Sequence, residues 1–242
     1  MSKRVLTVLA HPDDAETMAG GTLLKWAAEG HRITLCLITD GEKGTSDGRE
    51  PAAAVVERRR AEQERAAGLL GAEVVRLGYP DGMLQPTLEL RRDIVAVIRR
   101  IRPDIVVTND PTTWFRHGLY INHPDHRIAG QACVEALYPA VKKGSFYPEL
   151  LDQGLEPHVV DEVYLALSDA PDTWVDIAPI LEAKIHLICT HTSQFPPDHT
   201  RRAFTRLARE AGEARRLEAA ESFRTLRLAA QTVRALAEAT QD

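Results

Sequence analysis

At 242 residues the chain is long enough for one large domain with its own hydrophobic core, and it does not require two. Apolar residues make up 44% of the sequence and charged residues 27%, proportions that are typical of soluble globular proteins. The formal net charge of −5 argues against a nucleic-acid partner, which calls for a basic face, and no apolar run has the length of a membrane span.

Cysteine usage and the N-terminus both predict a cytoplasmic protein. The three cysteines, Cys36, Cys133 and Cys189, are far apart and lie among apolar residues, which is typical of buried thiols rather than disulfides. Met1-Ser2-Lys3-Arg4 leads directly into a strand-like segment and lacks the longer apolar region and the cleavage site of a signal peptide.

Short β-branched runs alternate with helical stretches through the first 140 residues, which is the pattern of a parallel sheet with crossover helices. The predicted strands are Arg4–Ala10, Arg32–Thr39, Glu73–Leu77 and Asp104–Asn109. The predicted helices between them are Thr17–Glu29, Ala52–Leu70 and Leu88–Ile101. The sequence therefore predicts an α/β fold, a Rossmann-like, doubly wound, mostly parallel sheet with helices on both faces, in a single domain over residues 1–242.

Later elements follow the same patterns with weaker signals. We expect a helix from Pro124 to about Tyr138, a strand at Val159–Leu167 and a helix at Pro179–Thr190. The Arg-, Glu- and Ala-rich stretch Thr200–Ala220 predicts an amphipathic surface helix, and a helical tail is expected from about Leu226. The connections 40–51, 111–122 and 142–157 are long, which is typical of functional loops or of disordered ones.

One imidazole and two adjacent carboxylates follow the first predicted strand, in Ala10-His11-Pro12-Asp13-Asp14-Ala15-Glu16. His and Asp are ligand types that catalytic zinc uses, with one coordination position left for water. A natural division of labour lets Asp14 bind the metal while Asp13 faces the water that the metal holds. The alternative is a helix N-terminus at which Asp13 or Asp14 only caps the first turn.

A second polar cluster, Asn122-His123-Pro124-Asp125-His126-Arg127, follows the fourth predicted strand. In a sheet of order 3-2-1-4 the first and fourth strands are neighbours, so both clusters should face one crevice at their carboxyl ends. One of His123 and His126 suffices as a ligand, and the other can protonate a leaving group or stabilise an oxyanion, tuned by Asp125. A solvated loop histidine is the alternative for His123.

These residues resemble the LmbE-like, or PIG-L, family of zinc-dependent N-deacetylases. The family motif AHPDDxE stands at Ala10–Glu16, followed by Gly20-Gly21-Thr22-Leu23, and the motif HPDH stands at His123–His126. The likeness extends through Thr39–Glu42, Arg59–Glu62, Leu77–Gly82 and His191–Gln194, and it covers most of the chain up to about Arg227.

The resemblance implies a role for each matching residue. It implies His11, Asp14 and His126 as zinc ligands, Asp13 as general base, His123 as the group that stabilises the tetrahedral intermediate, and Asp125 as the residue that orients it. Arg59 matches an arginine that holds substrate hydroxyls. Arg58 and Arg60 flank it, and a solvated face of the Ala52–Leu70 helix explains an arginine run equally well.

The expected function is removal of an N-acetyl group from an N-acetylglucosamine-type amino sugar or its conjugate, a small-molecule substrate. The alternatives are a metal-dependent hydrolase of another amide or ester bond, and a non-catalytic nucleotide-binding module of Rossmann type. GxGxxG is missing after the first strand, which disfavours that module. Zn²⁺ is the expected ion, with Fe²⁺ or another divalent metal as an alternative, and a homo-oligomer is compatible with the resemblance.

Overall fold

The computed structural model of this chain describes residues 2–116 and 120–228. Its strands are β1 (Arg4–Leu9), β2 (Arg32–Thr39), β3 (Glu73–Tyr79), β4 (Ile105–Asn109), β5 (Phe115–Arg116), β6 (Tyr120–Ile121), β7 (Glu162–Ala166), β8 (Thr173–Asp176) and β9 (Ala220–Arg227). Its α-helices are α1 (Asp14–Ala28), α2 (Ala52–Leu70), α3 (Leu88–Ile101), α4 (Pro124–Glu135), α5 (Leu181–Ile188) and α6 (Pro197–Glu213). A π-helical turn, Ala136–Ala140, continues α4.

Within the described residues, seven strands form one sheet in the order β3-β2-β1-β4-β7-β9-β8. Five neighbouring strands of this sheet run parallel, namely β3, β2, β1, β4 and β7. Strand β9 is antiparallel to both β7 and β8. Val5 to Val8 of β1 pair with Ile105 to Thr108 of β4, so these strands are neighbours at the point where the winding reverses. The predicted order 3-2-1-4 and the mostly parallel α/β class are confirmed.

Helices cover both faces of the sheet because alternate residues of the central strands are buried on opposite sides. In β1, Leu6 and Val8 pack into the core beneath α3 and α4. Val5 and Leu9 pack into the core beneath α1, α2 and α5. Among the described residues, no helix combines the length and the apolar character that crossing a membrane requires.

The C-terminal part departs from the predicted elements. The helix expected over Thr200–Ala220 ends at Glu213, where a Cβ at Gly212 would collide with the carbonyl of Leu217. The helical tail was expected from about Leu226. Leu226 and Arg227 lie in β9 instead, Leu228 is helical, and residues 229–242 lie outside the described range, where the tail stays a prediction. Pairing with β7, Leu226 opposite Val163, outweighs the helical preference of a composition rich in Arg and Leu.

The connection 142–157 is ordered around one buried arginine. Arg99 of α3 is 2% exposed, and its Nη2 donates to the carbonyls of Ala140 (2.9 Å), Lys143 (2.8 Å) and Phe146 (3.2 Å). A guanidinium bonded to several carbonyls fixes the path of the backbone that carries them. This connection is therefore built onto the sheet rather than free of it.

Candidate metal centre and active site

The carboxyl ends of β1 and β4 bring the two polar clusters together, as their neighbouring positions in the sheet require. His11 follows β1, Asp14 begins α1, and His126 lies in the first turn of α4. Asp14 places Oδ2 3.4 Å from His11 Nδ1 and Oδ1 3.2 Å from His126 Nε2. All three side chains are buried. One carboxylate thus lies between two imidazoles that come from distant parts of the chain.

The capping alternative does not account for these aspartates. The Asp13 side chain makes no capping hydrogen bond to α1. Asp14 Oδ2 accepts the backbone N–H of His11 over 2.9 Å, which draws the carboxylate back toward the end of β1. Neither side chain therefore acts mainly as a cap for the first turn of α1.

Asn122 determines which nitrogen of His126 is free. Its Nδ2 donates to the carbonyl of Thr113 over 2.9 Å, and this bond sets the orientation of the amide. Its Oδ1 lies 3.1 Å from His126 Nδ1. An amide oxygen only accepts, so the proton of the neutral ring is on Nδ1, and the Nε2 lone pair faces Asp14. A ring held in this way is oriented as a metal ligand.

His123 has the opposite tautomer. The backbone N–H of Asp125 donates to His123 Nδ1 over 3.2 Å, which leaves Nε2 as the protonated nitrogen of the neutral ring. Burial lowers the pKa of His123, and nearby His11 and His126 lower it further, so the neutral ring is favoured. Ring nitrogens of His11, His123 and His126 come within 4.8 Å of one another, but the tautomer suits His123 to donate rather than to ligate.

The remaining nitrogen of His11 faces two further carboxylates. His11 Nε2 is 3.1 Å from Asp81 Oδ1 and 3.5 Å from Asp125 Oδ2. Asp125 also accepts the backbone N–H groups of Gly82 (2.7 Å) and Leu84 (3.3 Å). The expectation from the resemblance was that Asp125 orients His123. In the structure its carboxylate contacts His11, and within the described residues the hydrogen bond between Asp125 and His123 is made by the Asp125 backbone N–H. A role of Asp125 in orienting His123 stays a prediction.

The charge distribution of this cluster suits a cation. Burial alone would lower the pKa of His11, but Asp14, Asp125 and Asp81 outweigh it and raise the pKa to about 12. Burial opposes ionisation of Asp14, yet His126 and His11 hold its pKa well below the usual range. Two imidazoles and one carboxylate, backed by second-layer carboxylates, form a donor set that fits Zn²⁺ and related divalent ions.

Asp13 lies beside this donor set in a strained backbone conformation, with φ at 96°. Arg59 Nη2 donates to Asp13 Oδ2 and to the carbonyl of Pro12, each over 2.6 Å. Burial raises the pKa of Asp13 to about 6, although Arg59 opposes the shift. A buried carboxylate with a pKa near neutrality has the property that a general base needs.

The arginine run of α2 divides cleanly between the site and the surface. Arg59 is 4% exposed, and its Nη1 donates to the carbonyl of Gly41, where a Cβ would collide with the guanidinium. Arg58 and Arg60 are more exposed and pair with Glu50 and Glu64. The solvated-face interpretation therefore does not hold for Arg59. Its contacts here are with the protein, and contact with substrate hydroxyls stays a prediction.

Sequence reasoning assigned no role to several residues of this site: Gln63, Asp81 and Asn122. Gln63 Oε1 accepts the backbone N–H of Asp13 over 3.2 Å. The signals were faint: Asp81 lies in the family-like stretch Leu77–Gly82, Asn122 directly precedes the HPDH motif, and Gln63 is one helical turn from Arg59. His191, which begins the matching stretch His191–Gln194, is fully buried with Nε2 3.5 Å from Glu16 Oε2.

The chain is similar in sequence to proteins of a known family. The family model described as PIG-L, GlcNAc-PI de-N-acetylase, matches residues 6–137. The diacetylchitobiose deacetylase of Thermococcus kodakarensis is 38% identical over 197 residues, which are 81% of this chain and 72% of that protein. A 1D-myo-inositol 2-acetamido-2-deoxy-alpha-D-glucopyranoside deacetylase of Rhodococcus erythropolis is 28% identical over 239 residues, covering 80% of this chain and 81% of that protein.

A solved structure extends the match to the fold. The N,N'-diacetylchitobiose deacetylase from Pyrococcus horikoshii superposes with a TM-score of 0.86 at 32% identity, over 93% of this chain and 84% of that one. The family model spans more than half of the chain, and both sequence motifs lie within that span. The chain belongs to the PIG-L family of GlcNAc-PI de-N-acetylase-like proteins.

Proposed function

We propose that this chain is a metal-dependent N-deacetylase, which hydrolyses the acetamide of an N-acetylglucosamine-type amino sugar or its conjugate. One observation carries the proposal: two imidazoles and one carboxylate from the two sequence motifs form a buried group, and Asp13, next in sequence to Asp14, interacts electrostatically with Asp14 and His11. The names of the relatives, which include diacetylchitobiose and GlcNAc-inositol deacetylases, support the amide bond and the sugar class.

His11, Asp14 and His126 would hold the metal, because each directs a donor atom toward the others. Bound Zn²⁺ or another divalent ion lowers the pKa of a coordinated water and polarises the amide carbonyl. Asp81 and Asp125 fix the ring of His11 from behind, and Asn122 fixes that of His126. Such outer contacts hold ligands in the orientation that binding requires.

The chain's own residues supply the proton transfers. Asp13 takes a proton from the attacking water, and Arg59 keeps the carboxylate in place while it does so. His123 offers Nε2–H to the carbonyl oxygen as negative charge develops on it. The proton on Asp13 then passes to the sugar nitrogen, which leaves as an amine together with acetate.

A substrate panel tests this proposal. N,N'-diacetylchitobiose, N-acetylglucosamine and an N-acetylglucosaminyl inositol are offered to the metal-loaded protein beside nitrophenyl acetate and nitrophenyl phosphate. We expect stoichiometric acetate and primary amine from at least one acetylated sugar. Asp13→Asn should lower that rate by about 10²- to 10⁴-fold, the contribution typical of a general base. Turnover of the phosphate or the simple ester alone would assign the chain to one of the alternative hydrolase classes.

A further inference from the structure

Two side chains of α2, one helical turn apart, contact the same residue. Arg59 binds the carboxylate of Asp13, and Gln63 Oε1 accepts its backbone N–H over 3.2 Å. Side chains four positions apart lie on the same face of a helix, so α2 presents both groups toward the end of β1. The backbone of Asp13 is left-handed, with φ at 96°, which residues with a Cβ adopt only when neighbours impose it.

Gln63 is itself held from behind by a buried polar chain. Its Nε2 donates to Glu16 Oε1 over 2.7 Å, and the other oxygen of Glu16 lies 3.5 Å from His191 Nε2. Gln63, Glu16 and His191 are each 0% exposed. A carboxylate only accepts, so Glu16 forces the amide nitrogen of Gln63 toward itself and the amide oxygen toward Asp13.

We propose that Gln63 is a positioning residue for Asp13, and that Glu16 and His191 keep its amide in the orientation that accepts the Asp13 N–H. The inference rests on the proposed function in one respect, that Asp13 is the general base. Arg59 then holds the carboxylate and Gln63 holds the peptide, so helix α2 fixes the base at two points. Gln63, Glu16 and His191 form a row of buried polar side chains. His191 lies at its far end and acts on the Asp13 N–H through Glu16 and Gln63.

This row of polar side chains should affect the rate of the reaction. Without the Gln63 acceptor, the Asp13 peptide can leave its strained conformation, and the carboxylate moves relative to the attacking water. Misplacement of a reacting group by about 1 Å can cost on the order of 100-fold in rate. The Asp13 N–H is bonded to Gln63 and is therefore not offered to a substrate, so the loss should fall on kcat rather than on KM.

Gln63→Met tests the proposal, because it keeps the side-chain length and removes both hydrogen-bonding groups. We expect kcat per folded, metal-loaded molecule to fall roughly 10- to 100-fold, with KM changed by less than about threefold and metal content unchanged. Gln63→Asn, which keeps an amide too short to bridge Glu16 and Asp13, should shift kcat in the same direction and serves if the Met variant does not fold.

Glu62→Gln is the matched control. Glu62 neighbours Gln63 on α2 and is 1% exposed, but in the part of the chain that the structure describes its hydrogen bonds are with Thr192 and Ser193 rather than with Asp13. It should lower the melting temperature while kcat per folded molecule stays within about twofold of the unsubstituted protein. Equal kcat losses in Glu62→Gln and Gln63→Met would reduce Gln63 to a structural residue and overturn the proposal.

Amide hydrogen exchange separates this inference from the function on which it rests. The Asp13 N–H should exchange faster in Gln63→Met than in the unsubstituted protein and in Glu62→Gln. If the unsubstituted protein releases no amine from any acetylated sugar, the proposed function fails, and exchange at Asp13 alone decides the positioning role. Exchange at Asp13 that is unchanged in Gln63→Met overturns that role whether or not the enzyme is active.

Discussion

The backbone N–H of Asp125 donates to Nδ1 of His123 over 3.2 Å, and this bond places the proton of the neutral His123 ring on Nε2. His126, three residues further on, has its proton on Nδ1 because that nitrogen faces Asn122 Oδ1. Two histidines of one motif therefore present opposite groups to the crevice, a donor from His123 and a lone pair from His126. We expect this difference to give them different tasks.

The two histidines should separate in their response to substitution. His123→Gln should keep the bound metal but lower kcat by about 10²- to 10³-fold, the loss typical of removing one oxyanion donor. His126→Gln should lose the metal and the activity together. Elemental analysis of purified, dialysed protein beside amine-release kinetics distinguishes the two. Metal loss in His123→Gln as complete as in His126→Gln would make His123 a ligand instead.

Asn122 should control metal affinity without touching the metal. In Asn122→Leu the Nδ1 proton of His126 loses its acceptor, and the ring is free to change tautomer or rotate. Loss of such an outer contact typically weakens metal binding by about 10- to 100-fold. A competition titration against a chromogenic chelator measures the Kd. An unchanged Kd would show that packing alone orients His126.

A buried ion pair that includes none of the proposed catalytic residues should contribute to stability only. Lys184 Nζ lies 2.7 Å from Glu221 Oε1, and both side chains are about 95% buried. Glu221 also accepts the backbone N–H groups of Gly21 (2.8 Å) and Thr22 (2.7 Å), which ties β9 to α1. Lys184→Met leaves the carboxylate without its cation and should lower the free energy of unfolding by about 3 kcal/mol.

The double variant Lys184→Met, Glu221→Gln provides the control for that pair. It removes both charges while keeping an acceptor for Gly21 or Thr22, so it should be more stable than Lys184→Met alone. Urea unfolding of the three proteins measures the coupling. Additive losses, or a kcat per folded molecule that changes in Lys184→Met, would contradict a purely structural pair.

Asp110 should make the stability of the fold depend on pH in the acid range. Burial would raise the pKa of Asp110, but hydrogen bonds from Ser168 and Thr112 outweigh it and lower the pKa. A lowered folded-state pKa stabilises the fold fully above the ordinary aspartate pKa of about 4, and this contribution is lost as pH falls through the folded-state value. Asp110→Asn should therefore show a smaller drop in unfolding free energy between neutral pH and about pH 3. An equal drop in both proteins, measured by urea unfolding, would remove Asp110 from the acid response.

The sequence predicted the strands that carry the site better than the contacts between the side chains within it. Adjacent β1 and β4 follow from alternating elements and from the handedness of crossovers, and the position of both motifs follows from that adjacency. The partner of the Asp125 carboxylate did not follow, because it depends on how the turn at Gly82 packs against α4. Strand β9 was missed because its pairing with β7 is long-range, while its composition favours a helix.

The sequence also could not show which arginine of the run 58–60 faces the site. Three consecutive arginines differ in sequence only by position, and their roles separate once α2 packs with Arg59 toward Asp13. Gln63 carries no chemical signal in the sequence, since glutamine is common on exposed helix faces. Its proposed positioning role rests on contacts that the sequence does not show, with the Asp13 N–H and with the Glu16 carboxylate.

Metal removal and replacement tests the central claim most directly. The purified protein is stripped with a chelator, dialysed, and assayed for amine release from N,N'-diacetylchitobiose before and after addition of one equivalent of Zn²⁺. We predict that stripping abolishes turnover and that a single equivalent restores it, in the unsubstituted protein but not in His11→Ala. Full turnover by the stripped protein, or full recovery in His11→Ala, would contradict the account.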